Sequence, residues 1–253
     1  MKVEVIRRDH AIELKLNDPP GNVLDRESAL QIADLIRFHG SDPKLKLLLF
    51  SAEGKHFSYG ASVPEHDLGL VGGFLPAFHD IFAAMLETEV PTAAAVRGLC
   101  LGGAFELAAA CNFLLAERSA VFAVPEIQLG VFPPVACALF PWKYGGSVSE
   151  DLILSGRRVK SEEAVRHGII SRLATDRSLE EEVDAFIDED IAPRSASSLR
   201  HACSATRGAL LSEFLPRLKE LERAYLDELM ATHDAQEGIA AFNERRDPRW
   251  THA

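Results

Sequence analysis

Two glutamates in this sequence stand beside apolar residues that would shield a carboxyl group from water. Glu106 lies in the segment AFELAAA, and Glu126 directly follows the apolar segment VFAVP. Burial disfavours the charged form of a carboxyl group and raises its pKa, which prepares the group for proton transfer near neutral pH. Two plainer interpretations stay open: Glu106 on the one solvent-facing side of a helix, and Glu126 as a loop carboxylate that caps a neighbouring helix.

Two glycine-containing segments would present bare backbone N–H groups at the end of a strand. They are residues 57–62 (FSYGAS) and residues 97–106 (RGLCLGGAFE). The second leads directly into a predicted helix, whose first N–H groups lack partners within the helix and carry partial positive charge. Such groups can hold an oxyanion, although a Gly-Gly pair serves tight turns at least as often. The segment lacks the G-x-G-x-x-G order and the P-loop ending, so phosphate binding is the poorer interpretation.

The surrounding chain alternates short apolar strands with helices. A hairpin is predicted over residues 3–6 and 12–16, helices over 26–39, 74–87 and 102–110, and strands over 45–50, 92–96, 111–116 and 121–124. Continuous apolar character in such strands favours mostly parallel pairing in a sheet covered on both faces. From about residue 147 the strand pattern ends, and helices are predicted over residues 149–154, 161–167, 179–189, 211–229 and 235–245.

The composition favours one main soluble domain and argues against several classes of partner. The 253 residues are 47% hydrophobic, enough for one large core, and the formal net charge of −11 argues against nucleic acid. The four cysteines form no CxxC pair and have no zinc spacing, so we expect reduced, buried thiols and no metal site. Neither a signal peptide nor an apolar stretch of about 18 to 20 residues is visible, so we expect a cytoplasmic protein without membrane contact.

Nearly the whole chain resembles the enoyl-CoA hydratase/isomerase, or crotonase, superfamily. The segments that carry this resemblance occur in the family's order at residues 20–24, 57–62, 97–110, 122–130, 155–168 and 237–248. The resemblance implies an α/β fold with a crotonase-like ββα spiral core over residues 1–195. It also implies a helical C-terminal oligomerisation region over residues 196–253, in a homotrimer or a dimer of trimers.

The resemblance also implies a site for an acyl-CoA thioester. The backbone amides of Ala61 and Gly103 would form the oxyanion hole for the thioester carbonyl. Glu126 would be the principal acid/base and Glu106 its water-positioning partner, although coupled carboxyl groups share their titration. No separate cofactor is implied, because coenzyme A is part of the substrate. Further residues expected to bind the substrate are Val23, Tyr59, Gly60, Ser62, Val63, Gly102, Pro125 and Val131.

The presence of both glutamates favours a hydratase that adds water to a conjugated enoyl-CoA or cyclic dienoyl-CoA. Two departures from the common hydratase pattern are Ser62 in place of the usual aspartate and VFPPVAC at residues 131–137 in place of a glycine-rich turn. Both resemble the hydratases of anaerobic aromatic degradation, which act on cyclohexa-1,5-diene-1-carbonyl-CoA. The alternatives are an enoyl-CoA isomerase that uses one glutamate, and a non-catalytic member that binds acyl-CoA or RNA. The negative net charge of the chain argues against RNA binding.

Three basic residues flank the glycine segments. His56 and His66 could form a proton relay, but a surface or capping role is favoured because the glutamates already supply acid/base chemistry. Arg97 could meet a phosphate of coenzyme A, but pairing with a local acidic residue is the favoured interpretation.

Overall fold

Two β-sheets frame the structure, a computed structural model that describes the backbone of residues 1–253 and every side chain except that of residue 211. The strands of the larger sheet are β1 Val3–Arg7, β2 Ala11–Leu16, β3 Leu47–Ala52, β4 Thr92–Val96, β6 Phe113–Glu117 and β9 Arg172–Ala174. Those of the smaller sheet are β5 Leu99–Leu101, β7 Val121–Ala123 and β8 Val159–Lys160. The orders are β1-β2-β3-β4-β6-β9 and β5-β7-β8. The β1–β2 hairpin is antiparallel and the other pairs of the larger sheet are parallel.

Helices surround both sheets. The α-helices are α1 Arg26–Gly40, α2 Val71–Glu87, α3 Gly103–Ala110, α4 Pro134–Tyr144, α5 Gly146–Ser155, α6 Ser161–Arg166, α7 Leu179–Ala185, α8 Ala196–Arg223 and α9 His233–Glu244. Short 3-10 helices span Val63–His66, Pro125–Leu129 and Leu229–Ala231, and π-helices span Phe186–Ile191 and Ala224–Glu228. No helix of the described residues is long and apolar enough to span a bilayer.

Successive strand–strand–helix units form a spiral around the core. In the units β4-β5-α3 and β6-β7-α4, the first strand joins the larger sheet and the second joins the smaller one. The second strands of the two units, β5 and β7, are parallel neighbours in the smaller sheet, where Leu101 pairs with Ala123. The residues that follow these two strands are therefore neighbours in space.

The larger sheet is buried on both faces. In β3, Leu48 and Phe50 belong to the main hydrophobic cluster, whereas Leu47 and Leu49 belong to a second cluster under α7. Because alternate side chains point to opposite faces, a strand buried on both sides must be apolar throughout. The predicted α/β architecture and the sheet covered on both faces are confirmed.

Several predicted details are wrong. The strand pattern does not end near residue 147, because the short strands β8 and β9 follow, with two and three residues respectively. Helix α4 was not predicted; Pro134 stands at its first position, where a proline costs no hydrogen bond. Helix α8 begins at Ala196 rather than near residue 211. The cysteines are free thiols, and Cys137 is half-buried while the other three are buried.

Candidate active site

The two glycine-containing segments lie side by side. Ser58 forms an isolated bridge with Cys100, and its carbonyl accepts a hydrogen bond of 3.1 Å from the Leu101 amide. Gly60 has a φ of +100°, and a Cβ at this position would lie 2.5 Å from the Leu101 carbonyl oxygen. Only glycine allows this approach, so Gly60 brings the two backbones together.

Two amide groups at this junction are free to bind an oxygen atom. Ala61 follows Gly60, and Gly103 is the first residue of α3, whose initial amides have no partner within the helix. A Cβ built at Gly103 would lie 3.3 Å from the Cβ of Ala61, so the two residues are neighbours. Among the described residues, neither amide donates a hydrogen bond to another group. The pair can therefore serve as an oxyanion hole.

Glu126 lies beside the start of α3. Its Oε1 atom is the nearest neighbour of a Cβ built at Gly102, at 2.6 Å. The residue is half-buried as a whole, but its Oε2 atom is inaccessible and has no hydrogen-bond partner among the described residues. Burial raises the pKa of Glu126 to about 7. Its carboxyl group is therefore suited to exchange a proton at neutral pH.

Glu106 lies on the first turn of α3, and only 3% of its surface is exposed. Its Oε1 atom accepts a hydrogen bond of 2.7 Å from the Ala136 amide in the first turn of α4. Burial, and then the charge of Glu126, raises the pKa of Glu106 well above its ordinary value. The solvent-facing interpretation of Glu106 is wrong, and the two carboxyl groups interact as a coupled pair.

A cavity of about 70 Å³ lies against Ala61 and Glu126. It is lined by Tyr59, Ala61, Val63, His66, Gly102, Pro125, Glu126, Leu129, Val131 and Ile239. Seven of these were expected site residues from the sequence, His66 was considered only as a less favoured proton relay, and Leu129 and Ile239 were not considered. A larger cavity of about 280 Å³ lies between α2, α4 and α8, with Trp142 and Arg207 among its lining residues. We place the candidate site in the smaller cavity because Ala61 and Glu126 line it.

The other candidate residues lie near this cavity without lining it. Gly103 and Glu106 belong to the first turn of α3, next to the cavity-lining Gly102. Gly60 sets the backbone approach, and the amide of the buried Ser62 donates to the Leu24 carbonyl. Val23 is half-buried and is not among the cavity-lining residues.

The flanking basic residues have mainly structural contacts. The Nδ1 atom of His56 accepts a hydrogen bond of 3.0 Å from the Leu99 amide, which fixes β5. The Nδ1 atom of His66 lies 2.8 Å from the Ser62 carbonyl oxygen, so it carries the proton and donates. Burial lowers the pKa of His66 and favours its neutral form. Arg97 pairs with Glu180, the favoured interpretation of the sequence.

Comparisons with known proteins agree over almost the whole chain. The family described as "Enoyl-CoA hydratase/isomerase" matches residues 7–253. A cyclohexa-1,5-dienecarbonyl-CoA hydratase from Thauera aromatica is 41% identical over 99% of this chain and 96% of its own length. A probable enoyl-CoA hydratase from Mycobacterium bovis is 33% identical over 98% of this chain and 97% of its own length.

Solved structures show the same architecture. An enoyl-CoA hydratase from Mycobacterium avium subsp. paratuberculosis has a TM-score of 0.88 and 26% identity, with 99% of each chain covered. An enoyl-CoA hydratase/isomerase from Pseudoalteromonas atlantica has a TM-score of 0.87 and 27% identity, over 99% of this chain and 100% of that one. These matches confirm the predicted fold class, including its C-terminal helices.

Proposed function

The chain belongs to the enoyl-CoA hydratase/isomerase family, and we propose that it adds water to a cyclic dienoyl-CoA thioester such as cyclohexa-1,5-diene-1-carbonyl-CoA. Hydratases of this type are carbon–oxygen lyases. The observation that carries the proposal is the coupled pair of Glu106 and Glu126, both with raised pKa, beside the free amides of Ala61 and Gly103. Two carboxyl groups suit the addition of water better than double-bond migration, which needs one.

In the proposed reaction, the thioester carbonyl accepts hydrogen bonds from the amides of Ala61 and Gly103. These amides stabilise the negative charge that develops on the carbonyl oxygen as the substrate becomes an enolate. Removing one donor of this kind typically costs about 100- to 1,000-fold in kcat. Because both donors are backbone groups held by the Gly60–Leu101 approach, they need no rearrangement when the substrate binds.

Glu126 and Glu106 handle the water molecule. Glu126 takes a proton from the water as its oxygen bonds to the β carbon, and the π electrons move toward the thioester. The resulting dienolate carries its charge into the ring, where its far carbon receives the proton back from Glu126. Glu106, which accepts a hydrogen bond from the Ala136 amide, orients the water and neither gains nor loses a proton. The net change is the addition of one water molecule.

The shape of the cavity wall supports a compact ring as the acyl group. Val131 lines the cavity, and Phe132 packs edge-on against Tyr225 with ring centroids 5.5 Å apart. Pro133 and Pro134 then lead into α4 with restricted backbone angles. These rigid residues replace a glycine-rich turn, and the relative named for a cyclic diene substrate is 41% identical. We propose that Tyr59, Gly60, Ser62, Val63, Gly102, Pro125 and Val131, with Val23 nearby, surround the substrate.

A spectrophotometric hydration assay tests this function. The purified protein is incubated separately with crotonyl-CoA and with cyclohexa-1,5-diene-1-carbonyl-CoA, and loss of the conjugated chromophore is followed. We expect selective turnover of the cyclic diene. Turnover of crotonyl-CoA alone would refute the ring substrate but keep a short-chain hydratase, and migration of a double bond without hydration would favour the isomerase.

We propose a cytoplasmic homotrimer or dimer of trimers, with residues 1–195 as the core and residues 196–253 contributing to subunit contacts. Light scattering tests the assembly, because a mass equal to one subunit would refute it.

A further inference from the structure

Tyr225 is a buried tyrosine whose hydroxyl group has no hydrogen-bond partner among the described residues. Only 1% of its surface is exposed. It lies in the π-helix Ala224–Glu228, which continues α8. An unpaired buried hydroxyl group costs stability, and π-helical turns occur frequently at functional sites. Packing alone therefore does not explain a tyrosine at this position, since phenylalanine would fill the same space without the cost.

The ring of Tyr225 packs against residues of the reaction cavity. Its centroid lies 6.2 Å from that of His66, which lines the cavity. It lies 5.5 Å from the centroid of Phe132, which follows the cavity-lining Val131. Tyr225 thus supports the wall that distinguishes this chain from the common hydratase pattern.

The hydroxyl group of Tyr225 also experiences the electrostatic influence of both glutamates. Burial, and then the charges of Glu126 and Glu106, raises the pKa of Tyr225 above its ordinary value. The hydroxyl group therefore keeps its proton and is available as a donor. The Oε2 atom of Glu126 is likewise buried and has no partner among the described residues. An unpaired donor thus packs on His66, which lines the same cavity as the unpaired acceptor of Glu126.

We propose that the Tyr225 hydroxyl group donates a hydrogen bond to the oxygen atom that is added to the substrate. This oxygen belongs first to the reacting water and then to the hydroxyl group of the product. Glu126 accepts the proton of the water while Tyr225 keeps its own, so Tyr225 is a positioning residue and no bond to it forms or breaks. With a fixed donor on one side and a carboxylate on the other, the oxygen is aimed at a single carbon of the ring.

Tyr225→Phe tests the proposal because it removes the hydroxyl group and keeps the ring. Tyr144→Phe is the matched control. Tyr144 packs against Phe105 and Phe140, and burial, followed by Cys100 and Cys111 rather than the glutamates, raises its pKa. Steady-state hydration kinetics and thermal unfolding are measured for wild type and both variants. We expect Tyr225→Phe to lower kcat by about 10- to 100-fold, the range for a hydrogen bond to a charged or reacting group. KM should change less than about twofold, since the contacts to the thioester stay in place.

The melting temperature separates positioning from packing. Tyr225→Phe should melt at or above the wild-type temperature, because it removes an unpaired buried hydroxyl group. Tyr144→Phe should keep wild-type kcat. A Tyr225→Phe variant with wild-type kcat would overturn the proposal, and so would a loss of kcat accompanied by an equal rise in KM and a lower melting temperature. The role of Tyr225 rests on the proposed hydratase function, but the two hypotheses are refuted by different results. A wild-type protein that hydrates neither substrate would refute both. A Tyr225→Phe variant with wild-type kcat would refute only the role of Tyr225.

Discussion

Gly102 offers a sharp test of where Glu126 lies, because a methyl group there would collide with its carboxyl group. A Cβ at Gly102 would lie 2.6 Å from Glu126 Oε1, whereas ordinary contact begins at 3.4 Å, so the carboxylate has to move by about 0.8 Å. The substitution removes no hydrogen-bonding group, because the Gly102 amide that donates to the Ala123 carbonyl is still present. Gly102→Ala is therefore expected to displace the proposed acid/base directly.

The magnitude follows from two separable effects. Gly102 has a φ of +51° and a ψ of −129°, a conformation that costs a residue with a Cβ about 1 to 3 kcal/mol of stability. Misplacing a catalytic group by about 1 Å can lower the rate by about 100-fold. We expect Gly102→Ala to lower kcat by roughly this factor, beyond any effect of lower stability.

Gly168→Ala is the control for backbone strain. Gly168 has a φ of +70°, but a Cβ built there would meet no atom within 4 Å. Hydration kinetics are compared with denaturant unfolding for both variants under conditions in which each is folded. Both should lose stability, and only Gly102→Ala should lose kcat. A Gly102→Ala variant with kcat within about threefold of wild type, against an expected loss of about 100-fold, would refute the placement of Glu126 as acid/base.

Three further predictions concern charged groups. Glu126→Gln should lower kcat by about 100-fold or more, because it removes the proposed acid/base. Glu106→Ala should also lower kcat. If Glu106→Ala changed only KM, water positioning by Glu106 would be contradicted. Because the folded-state pKa of Glu126 is about 7, above its ordinary 4.5, stability should fall as pH rises through this window, by at most about 3 kcal/mol. Unfolding of Glu126→Gln should show a smaller slope than wild type, because Glu106, whose pKa burial also raises, still contributes. Arg207→Met should lower the free energy of unfolding by about 3 kcal/mol in denaturant titration. Buried Arg207 donates hydrogen bonds to Asn112 and to carbonyl groups of α2 and the turn after it, including that of Met85. A decrease of less than about 1 kcal/mol would contradict this role.

The sequence predicts the larger sheet well because burial on both faces leaves a strong pattern. Leu47 to Phe50 are all apolar, and alternate residues enter different clusters in the structure. Strands β8 and β9 have only two and three residues, which is too short for any periodicity to be visible. Their positions depend on pairing with β7 and β6, which are distant in the chain.

The candidate site is only partly predictable for a related reason. The apolar neighbours of Glu106 and Glu126 predict burial, but their proximity depends on the register of β5 against β7. Leu101 pairs with Ala123, so Gly102 and the residues after Ala123 leave the small sheet together. No strand was predicted over residues 99–101 from the sequence, so this register was hidden. Ile239 carries no motif and enters the site only through tertiary packing, whereas His66 was visible beside the first glycine segment but a surface or capping role was favoured.

The C-terminal helices reach the candidate site within one chain. Helix α8 packs on α2 and α4 of the same chain, and α9 packs on the 3-10 helices Val63–His66 and Pro125–Leu129. Ile239 of α9 lines the cavity, and Tyr225 supports its wall. Since burial is the first cause of the raised pKa of Glu126, every apolar residue that excludes water from the cavity also tunes the acid/base group. The raised pKa of the proposed acid/base is therefore a property of the closed cavity, to which Ile239 contributes from more than 100 positions along the chain. It does not follow from the local sequence around Glu126 alone.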